Sequence, residues 1–168
     1  MSEPAAVSFY HLTSTPLERA LPRLVEKAYS AGHRVLLVES TPEKREILNQ
    51  VLWTYSTLTF LPHGTSEEES PELQPILLAP SIEFPLPRAG EGQGEGGIVN
   101  GADVLIITDG SAISTPHPFT RVIDMFDGND AVALEKARAR WKDYKASGRK
   151  LMYLQQNEQG GWEEKAVA

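Results

Sequence analysis

Short apolar runs alternate along the chain with longer segments in which apolar residues recur every three or four positions. The first pattern predicts strands and the second predicts amphipathic helices. Strand-like runs occupy residues 7–11, 34–39, 75–79 and 102–108. The cores of the runs at 34–39 and 102–108 are continuously apolar, which is typical of strands covered on both faces of a parallel sheet. Residues 150–155 alternate and predict an added strand at a sheet edge.

Four helices are predicted between and after these strands. The first three occupy residues 16–31, 42–55 and 119–125. Gly32 ends the first helix, and Thr41 is a natural N-cap for the second. The apolar face of the second helix uses Ile47, Leu48, Val51 and Leu52. The fourth helix begins after Asn129 or Asp130, either of which can cap it, and ends at Gly148.

Strands interleaved with helices predict an α/β fold, a single-domain three-layer sandwich with a mainly parallel sheet and helices on both faces. The 168 residues, 40% of them apolar, are enough to bury one good core. We therefore place one domain over 1–168. It includes a flexible glycine- and proline-rich excursion at about 80–101 and a C-terminal extension over 151–168. Residues 60–64 are read as the start of a loop.

The last helix concentrates positive charge in an acidic chain. Residues 131–150 hold seven Lys and Arg side chains against two acids, whereas the whole chain has a formal charge of −7. The helix has an apolar face of Leu134, Ala137, Trp141 and Tyr144, and a basic face of Arg138, Lys142, Lys145 and Arg149. The two faces are about 90° apart. Two interpretations stay open: a surface helix with solvated charges, or a pocket in which Trp141 forms an apolar wall and Arg138 with Lys142 binds a carboxylate.

The composition of the chain argues against several classes of function. No run of about 18 apolar residues occurs, so no membrane span is expected. The first residues lack the pattern of a secretory signal. The chain has no cysteine, which excludes disulfides and thiolate chemistry and is compatible with a cytoplasmic location. The negative net charge of the chain argues against a dedicated nucleic-acid-binding domain, because such a domain needs a broad basic surface.

No motif in the chain makes a good case for catalysis or metal binding. The glycine cluster at 89–97 contains a loose G-x-G-x-x-G spacing, but it is acidic and precedes a strand, whereas dinucleotide-binding loops join a strand to a helix. No Walker lysine motif is present. The four histidines show no metal-ligand spacing. A hydrolase triad of Ser111 or Ser114 with His117 and Asp124 lacks the G-x-S-x-G elbow that would support it.

Several short segments carry a family resemblance through their order and spacing. They are residues 7–12 (VSFYHL), 32–37 (GHRVLL), 52–53 (LW), 60–63 (FLPH), 100–106 (NGADVLI), 119–126 (FTRVIDMF) and 137–142 (ARARWK). Taken together, these segments resemble the chi subunit family of bacterial DNA polymerase III. The resemblance extends over most of the chain, although no single segment is specific by itself.

The resemblance implies an α/β fold and a non-catalytic accessory protein of the clamp-loader assembly, without a cofactor or a metal. Chi subunits pair with the psi subunit of the clamp loader. On another surface they bind the acidic C-terminal tail of single-stranded DNA-binding protein, which ends in an aromatic residue with a free carboxylate. By the family's pattern, the tail pocket maps onto Trp53, Phe126, Arg138, Trp141 and Lys142. Within it Arg138 would hold the terminal carboxylate, and Phe60 is the candidate for the psi-facing surface. DNA contact would be indirect, and no membrane contact is implied.

The sequence departs from the pattern of the family at two places. Trp141 stands where the family often carries Tyr, which keeps an aromatic wall but removes a hydroxyl. The glycine-rich segment and residues 151–168 make this chain longer than the shorter members of the family.

The order of strands and helices suggests an alternative function, a small nucleotide-binding enzyme of doubly wound fold. Direct binding of single-stranded DNA through Trp141 and the basic face is a further one, which the charge of −7 disfavours.

Overall fold

The computed structural model describes residues 6–82, 98–113 and 119–166, and within them it contains eight strands and three α-helices. The strands are β1 (Ala6–Leu12), β2 (Val35–Val38), β3 (His63–Thr65), β4 (Ile76–Ala79), β5 (Val104–Ile107), β6 (Arg121–Asp127), β7 (Leu151–Gln156) and β8 (Trp162–Glu164). The α-helices are α1 (Leu17–Ser30), α2 (Pro42–Thr54) and α3 (Ala131–Ala146). A short 3-10 helix covers Pro71–Leu73.

All eight strands form one sheet in the order β3-β4-β2-β5-β6-β1-β7-β8. Neighbouring strands are parallel except for β7 and β8, which pair antiparallel. Every residue of β2, β4 and β5 is buried, as expected for strands that have helices or loops over both faces. The predicted α/β sandwich with a mainly parallel sheet is therefore confirmed.

The helices lie on both faces of the sheet. Leu21 and Val25 of α1 pack with Leu48 and Leu52 of α2 in one core, against alternate residues of the central strands. The opposite core contains Ala137 and Tyr144 of α3 and the intervening residues of the same strands. Successive side chains of a strand point to opposite faces, so each central strand contributes to both cores. In the described parts of the chain, no helix is long and apolar enough to cross a membrane.

The short helix predicted at 119–125 is wrong, because Arg121–Asp127 forms the strand β6. This strand lies between β5 and β1, and its residues from Val122 to Phe126 are all buried. The spacing of its apolar residues fits a helix turn as well as a buried strand. Pairing with two neighbours decides in favour of the strand, and a buried ion pair compensates the charge of Asp124.

Other differences are local. The strands β3 and β8 were not predicted, and β8 takes the edge position expected for 150–155. Ile47, assigned to the apolar face of α2, is 51% exposed, whereas Arg45 and Asn49 are buried. Thr41 occupies the N-cap position of α2, but its side chain makes no capping hydrogen bond. In α3 the cap prediction is confirmed, because the side chain of Asp130 accepts hydrogen bonds from two backbone N–H groups.

Some predictions fall outside the described residues. Most of the glycine-rich excursion predicted at 80–101 does so, since residues 83–97 are not described. Ser114 and His117 of the hypothetical triad also lie outside the described residues.

Candidate functional site

A cleft of about 450 Å³ opens between α3 and the sheet, at the side where α3 crosses β6, β1 and β7. Its lining residues are Phe9 and His11 of β1, Phe126 of β6, Tyr153 of β7, and Leu134, Ala137, Arg138, Trp141 and Lys142 of α3. In the parallel register, Phe9 lies beside Tyr153, and His11 lies beside Phe126. The strands thus supply the floor of the cleft and the helix supplies its wall and rim.

Aromatic rings dominate the apolar part of the cleft. The ring of Trp141 packs edge to face on Phe9, with centroids 5.3 Å apart, and on Tyr153, with centroids 6.1 Å apart. Phe9 also contacts Phe126 at 6.4 Å in an edge arrangement. Such contacts stabilise a set of rings in fixed positions. The cleft therefore presents a preformed aromatic surface beside the basic side of α3.

Arg138 and Lys142 are exposed at the rim of this cleft. They are one helical turn apart, so their side chains extend from the same side of α3. In the residues that the structure describes, neither side chain forms an ion pair within 4.0 Å. Two cations beside an apolar aromatic surface can bind a group that combines a ring with a carboxylate.

His11 adds a titratable group to the cleft. Its Nδ1 shares a hydrogen bond with the Tyr153 hydroxyl, and its ring packs on Phe126 with centroids 4.9 Å apart. Gly128 lies against the other side of the imidazole, where a Cβ atom would collide with the ring. Burial lowers the pKa of His11, the guanidinium of Arg138 lowers it further, and Asp127 partly opposes both. His11 therefore favours its neutral form.

A buried ion pair between α3 and β6 fixes the helix on the sheet. Nε and Nη2 of Arg140 donate to the two carboxylate oxygens of Asp124 over 2.7 and 2.8 Å. The Tyr144 hydroxyl accepts a hydrogen bond from the backbone N–H of Ile113. These contacts set the position of the helix, and with it the positions of Arg138, Trp141 and Lys142.

A family model described as DNA polymerase III chi subunit, HolC, matches residues 5–152. The chain belongs to this family. A curated relative, the probable DNA polymerase III subunit chi of Rickettsia prowazekii (strain Madrid E), is 33% identical over 78 residues. The alignment covers 46% of this chain and 47% of that protein, so the chain spans about half the length of the relative it matches. Membership of the chi family associates the chain with DNA replication.

The structure brings together four of the five residues that the sequence assigned to one pocket. Phe126, Arg138, Trp141 and Lys142 of this chi-family chain all line the cleft. Trp53 is not among its lining residues and lies instead beside Phe60 and His63, with ring centroids 5.8 and 4.7 Å away. Sequence reasoning missed Phe9, His11 and Tyr153. Phe9 and His11 lie in the first predicted strand and Tyr153 in the last, but only the strand pairing brings them together.

Trp53 and Phe60 form a second surface feature of the chi-family fold, here called the aromatic patch. Trp53 is 52% exposed and Phe60 is 65% exposed. The imidazole of His63 packs against the ring of Trp53, and its Nδ1 and Nε2 lie 2.7 and 3.3 Å from the carbonyl oxygens of Leu61 and Asn49. Neighbouring exposed aromatic side chains on a fixed support are typical of protein-binding surfaces.

A larger crevice of about 510 Å³ lies at the carboxyl ends of the parallel strands, where doubly wound proteins bind ligands. Its charged lining residues are the acids Glu18, Glu39, Asp109, Asp127 and Asp130 and the bases Lys44, Lys136 and Arg140. An excess of carboxylates repels phosphate groups, so the crevice gives no support to the nucleotide hypothesis. Within the described ranges, no cluster of three or more His, Cys, Asp or Glu residues is placed to hold a metal ion.

Proposed function

We propose that this chain is a non-catalytic accessory subunit of the replicative DNA polymerase III that acts in the cytoplasm. It links the clamp loader, through the psi subunit, to single-stranded DNA-binding protein by binding the acidic C-terminal tail of that protein. The observation that carries the proposal is the cleft at α3, which combines an aromatic floor with two cations at its rim that form no ion pair with any residue the structure describes.

The two parts of the cleft match the two parts of such a tail. The terminal aromatic ring would pack against Trp141 and Phe126, where its apolar area leaves water. The terminal carboxylate would bind Arg138, whose planar guanidinium can donate two parallel hydrogen bonds, with Lys142 as a second cation. Acidic residues earlier in the tail would be attracted to the rest of the basic face. The formal charge of −7 disfavours non-specific binding of polyanions elsewhere on the chain.

Titration with a synthetic acidic peptide that ends in phenylalanine tests the proposal. The peptide with a free terminal carboxylate should bind more tightly than its amidated form, because amidation removes the charge that Arg138 recognises. Added salt should weaken the binding of both peptides, since the rim charges are screened. Calorimetry or fluorescence anisotropy measures both effects. Equal affinity for the two peptides would contradict recognition of the terminal carboxylate.

The aromatic patch is the surface that we propose for the psi subunit. Phe60 was assigned to that contact by the family resemblance, and its packing against Trp53 extends the surface beyond one residue. Trp53 is accordingly proposed for this surface rather than for the tail cleft. Exposed aromatic residues at the centre of a contact contribute a large share of the binding energy.

Replacing Phe60 by alanine should weaken binding of psi from the same organism by at least about 1 kcal/mol, because a large apolar contact is lost. Affinity for the acidic peptide should stay unchanged, since Phe60 lies outside the cleft. Val132→Ala is the matched control, because Val132 is 60% exposed but lies on α3. Surface-immobilised psi would measure the first effect. If Phe60→Ala and Val132→Ala bind psi equally well, the patch is not the contact.

A further inference from the structure

His11 and Tyr153 form a hydrogen-bonded pair in the floor of the cleft, and the proposed function assigns them no role. The pair joins two neighbouring strands, and both side chains line the space that the peptide would enter. Tyr153 lies just beyond the range matched by the family model, which ends at residue 152.

The protonation state of His11 decides which way the Tyr153 hydroxyl points. A neutral imidazole accepts the hydrogen bond of the hydroxyl group at Nδ1, and the phenol then presents only lone pairs to the cleft. A protonated imidazole donates from Nδ1 to the phenol oxygen, so the O–H group is free to donate to another acceptor. Burial raises the pKa of the Tyr153 hydroxyl, with Arg138 opposing, so the O–H proton stays available as the donor.

Peptide binding changes the charges around His11. The groups that face the imidazole are Arg138 and Lys142 on α3, Asp127 at the end of β6, and Tyr153 on β7. In the free protein, burial and Arg138 hold the pKa of His11 below its ordinary value. A carboxylate bound to Arg138 would offset that positive charge and place a negative charge near the imidazole, which favours the protonated form.

We propose that His11 and Tyr153 are specificity-determining residues that recognise an anionic peptide terminus by taking up a proton as it binds. The proton comes from solvent and binds to Nδ1 of His11, which turns the Tyr153 hydroxyl towards the peptide carboxylate as a donor. The inference rests on the proposed function of the cleft. It adds that binding of the carboxylate and protonation of His11 favour each other.

Calorimetric titration from about pH 8 to about pH 6 tests the inference, because this range spans the ordinary pKa of histidine while peptide carboxylates remain ionised. The probe is the acidic peptide with a free terminal carboxylate, measured in buffers of different ionisation enthalpy. We expect net uptake of up to one proton and an affinity that rises as the pH falls, at most tenfold for each unit of pKa change. The amidated peptide should bind without proton uptake.

His11→Gln and Tyr153→Phe should each retain binding through Arg138 and Trp141. His11→Gln should lose most of the pH dependence, and Tyr153→Phe should reduce it, because protonation of His11 then no longer supplies a phenol donor to the carboxylate. Tyr153→Phe removes one oxygen atom and keeps the ring packing. It therefore tests the proposed relay, the coupling of His11 protonation to the Tyr153 hydroxyl, even if His11→Gln folds poorly. His33→Gln is the matched control. His33 pairs with Asp103 at the amino-terminal ends of β2 and β5, and neither residue lines the cleft. It should behave as the wild type.

Two results would separate the relay from the function of the cleft. If the free-carboxylate peptide binds in an Arg138-dependent way without proton uptake, the relay is excluded and the proposed function stands. The same conclusion follows if Tyr153→Phe and His11→Gln keep the wild-type pH profile. If the peptide does not bind at any pH, both proposals are overturned together.

Discussion

Arg138→Ala is expected to weaken binding of the acidic peptide by about 1.5 to 3 kcal/mol, because the terminal carboxylate loses its two-pronged partner. This corresponds to an increase in Kd of about 10- to 150-fold. Arg138 is exposed and forms no ion pair in the described part of the chain, so its removal should leave the free energy of unfolding nearly unchanged. Peptide titration and urea unfolding of the same variant measure the two quantities.

Two variants control for charge and geometry. Lys136→Ala removes one positive charge from the same helix, but Lys136 lines the crevice at the carboxyl ends of the strands rather than the cleft. Its affinity for the peptide should change little. Arg138→Lys keeps the charge but not the planar fork, so its affinity should fall between those of the wild type and Arg138→Ala. Equal loss in Lys136→Ala and Arg138→Ala would indicate general charge attraction instead of a defined site.

Asp124→Ala should lower the free energy of unfolding by about 3 to 5 kcal/mol, because it leaves the guanidinium of Arg140 buried without a partner. Asp124 is completely buried and Arg140 is 7% exposed, and both carboxylate oxygens accept from the same guanidinium. The pair lies between α3 and β6, so its loss should also loosen the helix that carries the cleft. Urea-induced unfolding at neutral pH measures the change in stability.

A double replacement shows whether the loss comes from the unpaired charge. Asp124→Leu combined with Arg140→Met should recover much of the stability, because both charged groups are replaced by apolar ones. Glu163→Ala is the matched surface control, since its pairing with Lys165 spans 3.5 Å between exposed side chains. Its stability should stay near that of the wild type. A loss below about 1 kcal/mol in Asp124→Ala would contradict a structural role for the buried pair.

The local patterns of the sequence predict most of the fold. The strands β1, β2, β4, β5 and β7 and all three helices lie where the hydrophobic periodicity predicts them. The prediction fails at β6, where the apolar spacing fits two structures and non-local pairing selects one. It also fails at β3 and β8, which contain three residues each and depend on a neighbouring strand for their hydrogen bonds.

The residues of the cleft also fall into two groups, those that the sequence predicts and those that depend on tertiary packing. Arg138, Trp141 and Lys142 lie on one helix, so helical periodicity alone places them on adjacent faces. Phe126 came from the family resemblance and lines the cleft because β6 is a strand and not a helix. No local rule could separate Trp53 from this group, because the relative positions of α2 and α3 depend on the packing of the whole sheet.

The sequence by itself determined the fold class, the course of α3 and its two chemical faces, because each depends on residues that are close in the chain. Only the tertiary structure decided what faces the basic side of that helix. The His11 and Tyr153 pair is separated by 142 positions and meets because β1 and β7 are neighbours in the sheet. Arg140 is buried rather than solvated because Asp124 lies opposite it on β6. Contacts between distant residues depend on which strands pair, and side-chain periodicity carries no information about that choice.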